Sequence, residues 1–458
     1  MSTNIQKNQI TEGIIWRQLL LFFFPILLGT FFQQLYNTID SVIVGQFVGK
    51  EALAAVGGSS AQIVAFVVGF FTGLSSGASV TIAQFFGAKD SRSANKGLHT
   101  AYAIAAFGGL ILTVSGIILT PFLLEMMNTP ADIVADSAVY LRIYFAGIIF
   151  VLIYNMGSAI LRATGDSKRP LYYLIVCCII NIVLDVLFVI VFHMGVMGVA
   201  VATLIAQAVS AVLVTLKLMR SEGILKLSVK QIRFHGSILK MQLKLGLPTG
   251  FEAILFSITN IAIQSAVNTF GTDTTAAWSA YGKLDAIFWM VSTAFGIAIT
   301  TFVGQNYGAG KMDRVRKSTR VCLLMDFIVS AVLVVFLIAA RFLLFRLFSN
   351  DSHVIEIGCD MLVLITPWYI VYVFIEVIAG ALRGVGNVVV PVAITLLGVC
   401  VLRIAWLAAM LKISPTISAI ILSYPVTWVI TALAFIIYYI YITHKTIAGS
   451  SKKHVPKL

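Results

Sequence analysis

The chain has 458 residues, 59% hydrophobic and 11% charged, and its 32 Lys and Arg against 19 Asp and Glu give a net charge of +13. Soluble domains carry about 25% charged residues, so a soluble enzyme, a soluble binding module and a disordered chain are excluded. A polytopic membrane protein remains, because the apolar residues come in blocks of 20 or more, long enough to cross a hydrocarbon core of about 30 Å.

Hydropathy and helix breakers predict twelve membrane helices over residues 15–44, 53–84, 94–120, 132–160, 169–192, 196–219, 239–269, 275–305, 315–341, 353–382, 388–412 and 416–442. The run Leu19–Phe32 meets no A-x-A site and reads as an uncleaved first span. With an interior N-terminus, 25 of the 32 Lys and Arg fall on the inner side and four on the outer, which predicts a multi-pass protein with both termini cytoplasmic. The basic excess is then a topology signal beside an anionic leaflet, not a nucleic-acid footprint. Five cysteines without a CxxC, nearly all inside apolar runs, read as small buried hydrophobes.

The halves repeat. Gln84-Phe85-Phe86-Gly87-Ala88 recurs 221 residues later as Gln305-Asn306-Tyr307-Gly308-Ala309. At the same offset, Leu161-Arg162-Ala163-Thr164-Gly165 recurs as Leu382-Arg383-Gly384-Val385-Gly386, and Pro170 as Pro391. Each motif alone is explained as a helix cap or anchor; three coincidences at one offset are not. Six helices per repeat insert both halves in the same sense, which predicts two six-helix lobes related by a pseudo-two-fold axis along the membrane normal. The expected division is an N-terminal lobe over 1–220, a cytoplasmic linker over 221–238, a C-terminal lobe over 239–443 and a basic tail over 444–458.

Polar residues inside spans are costly, so each requires a reason. The first helix carries Gln33, Asn37 and Asp40 on one face; the fifth carries Asn181 and Asp185 four apart; the sixth carries Thr203 and Gln207 four apart. At about 1.5 Å per residue, Asp185 and Thr203 each lie about 13 Å from the turn at Met194, and Asp40 lies at a similar depth below Gly49. Two carboxylates in a low dielectric can share one proton or bind a small hard cation through oxygen. The alternative is a polar cluster that locks helix packing. The repeat counterparts are Ile263, Leu402, Trp406 and Tyr424 for Asp40, Asn181, Asp185 and Thr203, an asymmetry that favours a coupling site.

With Gln-x-x-Gly-Ala after the second helix of each half and Leu-Arg-x-x-Gly after the fourth, the chain resembles multidrug and toxic compound extrusion (MATE) transporters over nearly its whole length. The resemblance implies cation-driven export of amphipathic, often cationic, organic compounds by rocking two lobes around a central cavity. The first-lobe acids resemble the DinF-like branch, which implies cation-coupling roles for Asp40, Asn181, Asp185 and Thr203, with Asn37 beside them. It also implies a backbone ligand at Val199, Na+ as a possible coupling ion, and helix bending at Pro25. No other cofactor and no obligate protein partner is expected.

In the second lobe, Glu252 resembles the acid of the NorM-like branch. That branch's tenth-helix Asp position falls at about Tyr372, with an acid one turn later at Glu376. Lys283 and Asp285 lie in the eighth helix, and Lys283 is a candidate to neutralise Glu252 or Glu376. These five are proton or substrate candidates or members of a structural ion-pair network. Trp289, Met290, Trp368 and Tyr369 are candidates to line a drug cavity. A lipid-linked precursor flippase is the second transporter reading, though only Arg142, Lys283 and Arg403 lie inside spans as bases. An integral-membrane enzyme lacks support: there is no P-loop and no His pair at metal-ligand spacing.

Overall fold

The computed structural model describes residues 10–450, which leaves Lys7 and residues 451–458 of the basic tail outside the described residues. Twelve helices are long and apolar enough to cross a membrane. We number them α1 (Ile15–Phe47), α2 (Lys50–Gly87), α3 (Ser91–Met126), α4 (Val134–Ala163), α5 (Lys168–Val191), α6 (Gly195–Met219), α7 (Gly236–Asn268), α8 (Thr272–Gly308), α9 (Met312–Arg346), α10 (Ser352–Gly384), α11 (Val389–Ile413) and α12 (Ile417–His444). They coincide with the predicted spans to within a few residues at most ends. The fold is all-helical because in lipid each backbone N–H and C=O must find a partner within its own segment. Hydroxyls inside the spans follow the same logic and return to the preceding turn: Ser115 donates to the Ile111 carbonyl at 2.7 Å and Thr120 to Gly116 at 2.6 Å.

Two compact units are present. One runs Leu21–Ala253; the other takes the chain up to Leu20 and from Ile254 onward. Both boundaries fall inside helices, α1 and α7. In the first unit, α4 packs against α2, α3 and α6, and α5 against α6. The first half of α7 belongs to this unit through a crossing with α2. A Cβ at Gly73 would overlap the Gly250 backbone, and one at Gly77 the backbone of Gln242 and Gly246. Two small-xxx-small pairs, Gly73/Gly77 and Gly246/Gly250, thus let two helices meet backbone to backbone, the packing that membrane helices use in place of a hydrophobic drive.

In the second unit α8 is the central helix, packed against α9, α10 and the Tyr369–Gly384 half of α10 in particular. The segment before α1 is held here. Arg314 at the start of α9 donates to the carbonyls of Ile10 (3.2 Å), Gly13 (2.9 Å) and Glu12 (3.1 Å) and to the Gln18 side chain (3.2 Å). Lys311 adds the Thr11 carbonyl at 2.9 Å.

Outward-facing apolar residues are what lipid requires rather than an anomaly: Phe107, Leu110, Ile111, Val114, Ile118 and Phe122 form one exposed stripe on α3. All five cysteines are buried, and none forms a disulfide among the described residues. Pro25 is buried and α1 continues through it; lacking an N–H, it leaves the Leu21 carbonyl without its helical partner.

Candidate functional site

The first unit gathers the acids that the sequence places at one depth. Asp40 reaches the interior from α1, Asn181 and Asp185 from α5 and Thr203 from α6, with 8%, 1%, 0% and 8% of their surfaces exposed. The Asp40 carboxyl lies beside that of Asp185 and beside the Thr203 hydroxyl, within electrostatic reach but short of hydrogen-bond geometry. Asp40 Oδ1, both Asp185 oxygens, both amide atoms of Asn181 and Thr203 Oγ1 have no hydrogen-bond partner among the described residues. Buried polar groups are nearly always paired, because leaving one unpaired costs about 1–3 kcal/mol. Six such atoms lie on these four side chains. The acceptors among them are all hard oxygen, which suits a proton or a small cation such as Na+.

Local structure supports such a site. Immediately after Asp185, α5 leaves the α-helical pattern for a π-helical turn over Val186–Val191. Such turns cluster at functional sites because they re-aim side chains. Val199 lies one turn before Thr203, its side chain packed with Ile43, Val44, Val189 and Val196. Gln207 donates to the Tyr36 hydroxyl at 3.3 Å. Asn37 is exposed and stays outside the buried group, a correction to the expectation that it stands beside Asp40. The Tyr36 hydroxyl, and Tyr140 and Tyr144, which stack one turn apart at 6.2 Å on α4, all lie near the acids. Sequence reading missed them; the signal was the i,i+4 tyrosine pair, Tyr140 and Tyr144, inside a span.

The second unit holds a different arrangement. A cavity of about 480 Å³ is walled by Trp278, Tyr281, Trp289, Tyr372, Tyr424 and Trp428, with Asp285, Glu376 and Arg403 at its polar points. Asp285 is fully served. It accepts from the Trp289 indole at 2.6 Å, from the Tyr281 hydroxyl at 3.3 Å and from the Tyr369 hydroxyl. Tyr369 is held by face-to-face stacking on Phe288 at 3.9 Å. Arg403 is 3% exposed, donates to Thr427 at 3.0 Å and lies 4.0 Å over the Tyr424 ring, a cation–π contact that offsets its desolvation. Trp368 is 39% exposed and outside the cavity lining.

Glu376 pairs with Arg383 at 2.8 Å. Lys283, expected as a neutralising partner, is exposed and forms no ion pair among the described residues. The preference is geometric: residues seven apart lie two turns apart on one face, within reach of two long side chains, whereas Lys283 is exposed. Glu252 is 9% exposed and lies in the part of α7 that belongs to the first unit. Asp326 on α9 escaped sequence reading altogether. It is 0% exposed, accepts from Ser330 at 3.1 Å, has an unpaired second oxygen, and lies within electrostatic reach of Glu376. A lone acid in the middle of an apolar span was its signal.

Against this geometry the comparisons are specific. The MatE family model matches the chain twice, over residues 25–187 and 248–407, so each copy begins at a proline, Pro25 or Pro248. The chain is 30% identical over 393 residues to the probable multidrug resistance protein YoeA of Bacillus subtilis, covering 84% of both chains. It is 27% identical over 420 residues to the probable multidrug resistance protein NorM of Thermotoga maritima, covering 89% of this chain and 88% of that one. Among solved structures, a MOP superfamily transporter from Pyrococcus furiosus superposes with a TM-score of 0.90 at 20% identity, covering 99% of this chain and all of that one. A MATE transporter in a bent conformation gives 0.91 at 20% identity over 98% and 100%. Two copies of one family model on a chain with twelve membrane-length helices among the described residues define a membrane transporter of duplicated architecture. The chain belongs to the MATE family of membrane transporters.

Proposed function

We propose that the protein is a cation-coupled antiporter that exports amphipathic organic compounds by alternating access, with both termini on the cytoplasmic side of the plasma membrane. Membership of the MATE family and relatives named as multidrug resistance and export proteins support export as the activity. One observation carries the coupling site: the six unpaired polar atoms on Asp40, Asn181, Asp185 and Thr203. A cluster built only to lock helices would satisfy its own hydrogen bonds. This one is completed by one proton shared between the carboxylates, or by one Na+ held by their oxygens, with Thr203 and Asn181 supplying neutral ligands. Occupancy biases α1, which carries Asp40 one turn after Tyr36, and so links the ion gradient to the conformation of the first lobe. Pro25 supplies the point at which α1 is free to bend.

The aromatic cavity of the second lobe is the proposed substrate seat. Its Trp and Tyr faces suit a planar apolar body, and Asp285, held by three neutral donors, is the polar point for the cationic end. Tyr372 and Glu376 line the same cavity. Lys283, Glu252 and the Glu376–Arg383 pair then tune the charge of the lobes. The test is efflux from proteoliposomes under independently imposed sodium and pH gradients. Asp40→Asn and Asp185→Asn should insert normally and lose gradient-driven export, whereas Glu252→Gln should retain it. Undiminished export by Asp40→Asn removes that residue from coupling, and loss under one gradient alone names the ion.

A further inference from the structure

The linker ahead of α7 is not a loose connection. Within the first unit it is fastened to the start of α3. Asn95 donates to the carbonyls of Ile224 and Lys226, both at 3.2 Å. The Ser228 N–H donates to His99 Nε2 at 3.0 Å, while His99 Nδ1 faces the Asn95 carbonyl at 2.8 Å. Those two contacts fix His99 as the Nδ1–H tautomer, neutral and 1% exposed. The His235 N–H donates to Thr100 at 3.3 Å. Between linker and helix this fastening leaves a cavity of about 760 Å³, walled by Arg92, Lys96, Lys230, Arg233, His99 and His235.

Four permanent cations thus face one cavity, and none of them forms a salt bridge among the described residues. The nearest acid, Asp90, is engaged as the N-cap of α3, accepting from the Ser93 N–H at 3.0 Å. The Ser93 side chain, and then its N–H, hold the Asp90 carboxyl below the usual carboxylate range. Burial, and then the charges of Arg233 and Lys96, hold the His235 imidazole below its ordinary value, as expected in a positive field. A topology signal needs bases only near a membrane face. It does not require four of them to converge on one concave site prepared by backbone hydrogen bonds.

The neighbouring surface names the occupant's other end. Phe234, between Arg233 and His235, meets Phe107 of α3 edge to face at 5.9 Å, and both rings are exposed, 45% and 56%. Phe107 begins the exposed apolar stripe that continues through Leu110, Ile111, Val114 and Ile118. The basic cavity, walled in part by Arg233 and His235, therefore lies next in sequence and space to one end of an exposed apolar stripe.

We infer that this cavity binds the phosphate headgroup of an anionic phospholipid, whose acyl chains lie along the exposed face of α3 and which ties the inter-lobe linker to the first lobe. Basic pockets between spans that open to the membrane are suited to such headgroups.

The test is native mass spectrometry and thermal unfolding of the full-length protein in detergent, titrated with phosphatidylglycerol, phosphatidylcholine or inorganic phosphate. Wild type should retain and be stabilised by phosphatidylglycerol over phosphatidylcholine. Lys230→Gln with Arg233→Gln should weaken that preference by about fivefold per base removed, roughly 25-fold together, and Arg233→Lys should restore most of its share. Lys317→Gln with Arg320→Gln, which removes two exposed bases from the other unit, should leave it unchanged. Equal retention of both lipids overturns the inference, as does an equal loss in the Lys317/Arg320 control. Stabilisation by inorganic phosphate to the same extent as by the lipid assigns the site to a free anion and overturns the lipid. If the double variant unfolds without lipid, the Arg233→Lys comparison alone decides.

Discussion

Replacing Asp185 by Asn distinguishes an ion seat from a helix lock, because the two readings predict opposite signs. Asp185 has no exposed surface and no partner for either oxygen, and the Asp40 carboxyl lies beside it. As a general scale, two like unit charges at about 4 Å and an effective dielectric of about 20 repel by about 4 kcal/mol. An Asn carries no charge and offers an N–H to Asp40. In sodium-free buffer at high pH, Asp185→Asn should therefore be more stable than wild type by about 2–4 kcal/mol. The coupling ion should reverse the order of sensitivity. Wild type gains about 2.7 kcal/mol at an ion concentration one hundred times its dissociation constant; the variant gains little. For a proton, wild-type stability should rise as pH falls, because uptake of one proton ends the repulsion, while the variant stays flat. The assay is thermal unfolding of purified protein across sodium concentration and pH, paired with efflux from proteoliposomes. If the cluster only locks helices, Asp185→Asn should be less stable by about 1–3 kcal/mol and both proteins should respond to ions alike. That result would refute the ion seat.

Other expectations follow from the same geometry. Gly246→Leu should destabilise by at least about 1–3 kcal/mol, since the site meets the α2 backbone at Leu74 within 2.7 Å. Gly282→Ala, with open space around it, should be neutral or gain up to about 1 kcal/mol from helix propensity; unfolding curves for the pair measure both. Trp289→Phe keeps the aromatic wall but removes the 2.6 Å indole donor to Asp285. It should weaken binding of a fluorescent organic cation by about tenfold, the loss of one hydrogen bond to a charged group, with little change in fold. Arg314→Gln should raise amide exchange over residues 10–18, because one guanidinium holds three carbonyls and a side-chain oxygen of that segment; unchanged protection there would show the clamp to be redundant.

The helices were legible in the sequence because membrane spans are written in long apolar blocks, and lipid leaves the backbone no other option. The first-lobe acids were legible as well, since helix rise fixes depth: Asp40, Asp185 and Thr203 were each counted from their nearest turn, and the structure gathers them. Asn37 was not resolved by the same counting. One turn on a helix sets a height but does not fix whether a side chain faces inward. The glycine crossing of α2 and α7 went unread because Gly-Leu-Pro-Thr-Gly looks like a helix end until its partner is known. The Glu376–Arg383 pair was hidden by treating Arg383 as a surface anchor of a repeat motif, and Asp326 by having no polar neighbour except Ser330.

The two buried acid sites occupy non-equivalent positions of the two repeats and differ in one physical respect, the supply of hydrogen bonds. Asp285 receives three, from Tyr281, Tyr369 and Trp289, so its oxygens are satisfied without any guest. Asp40 and Asp185 receive almost none from the protein and face each other, so their charge is stable only with a guest. A saturated carboxylate is a fixed feature that a substrate cation meets; a starved pair is a variable whose occupancy changes the energy of the lobe. Coupling needs the second kind, because a gradient performs work only where the loaded and empty states differ in free energy. The repeat made two copies of one bundle, and at Ile263, Leu402, Trp406 and Tyr424 the second copy has no counterpart of Asp40, Asn181, Asp185 and Thr203, so the starved pair exists in the first copy alone.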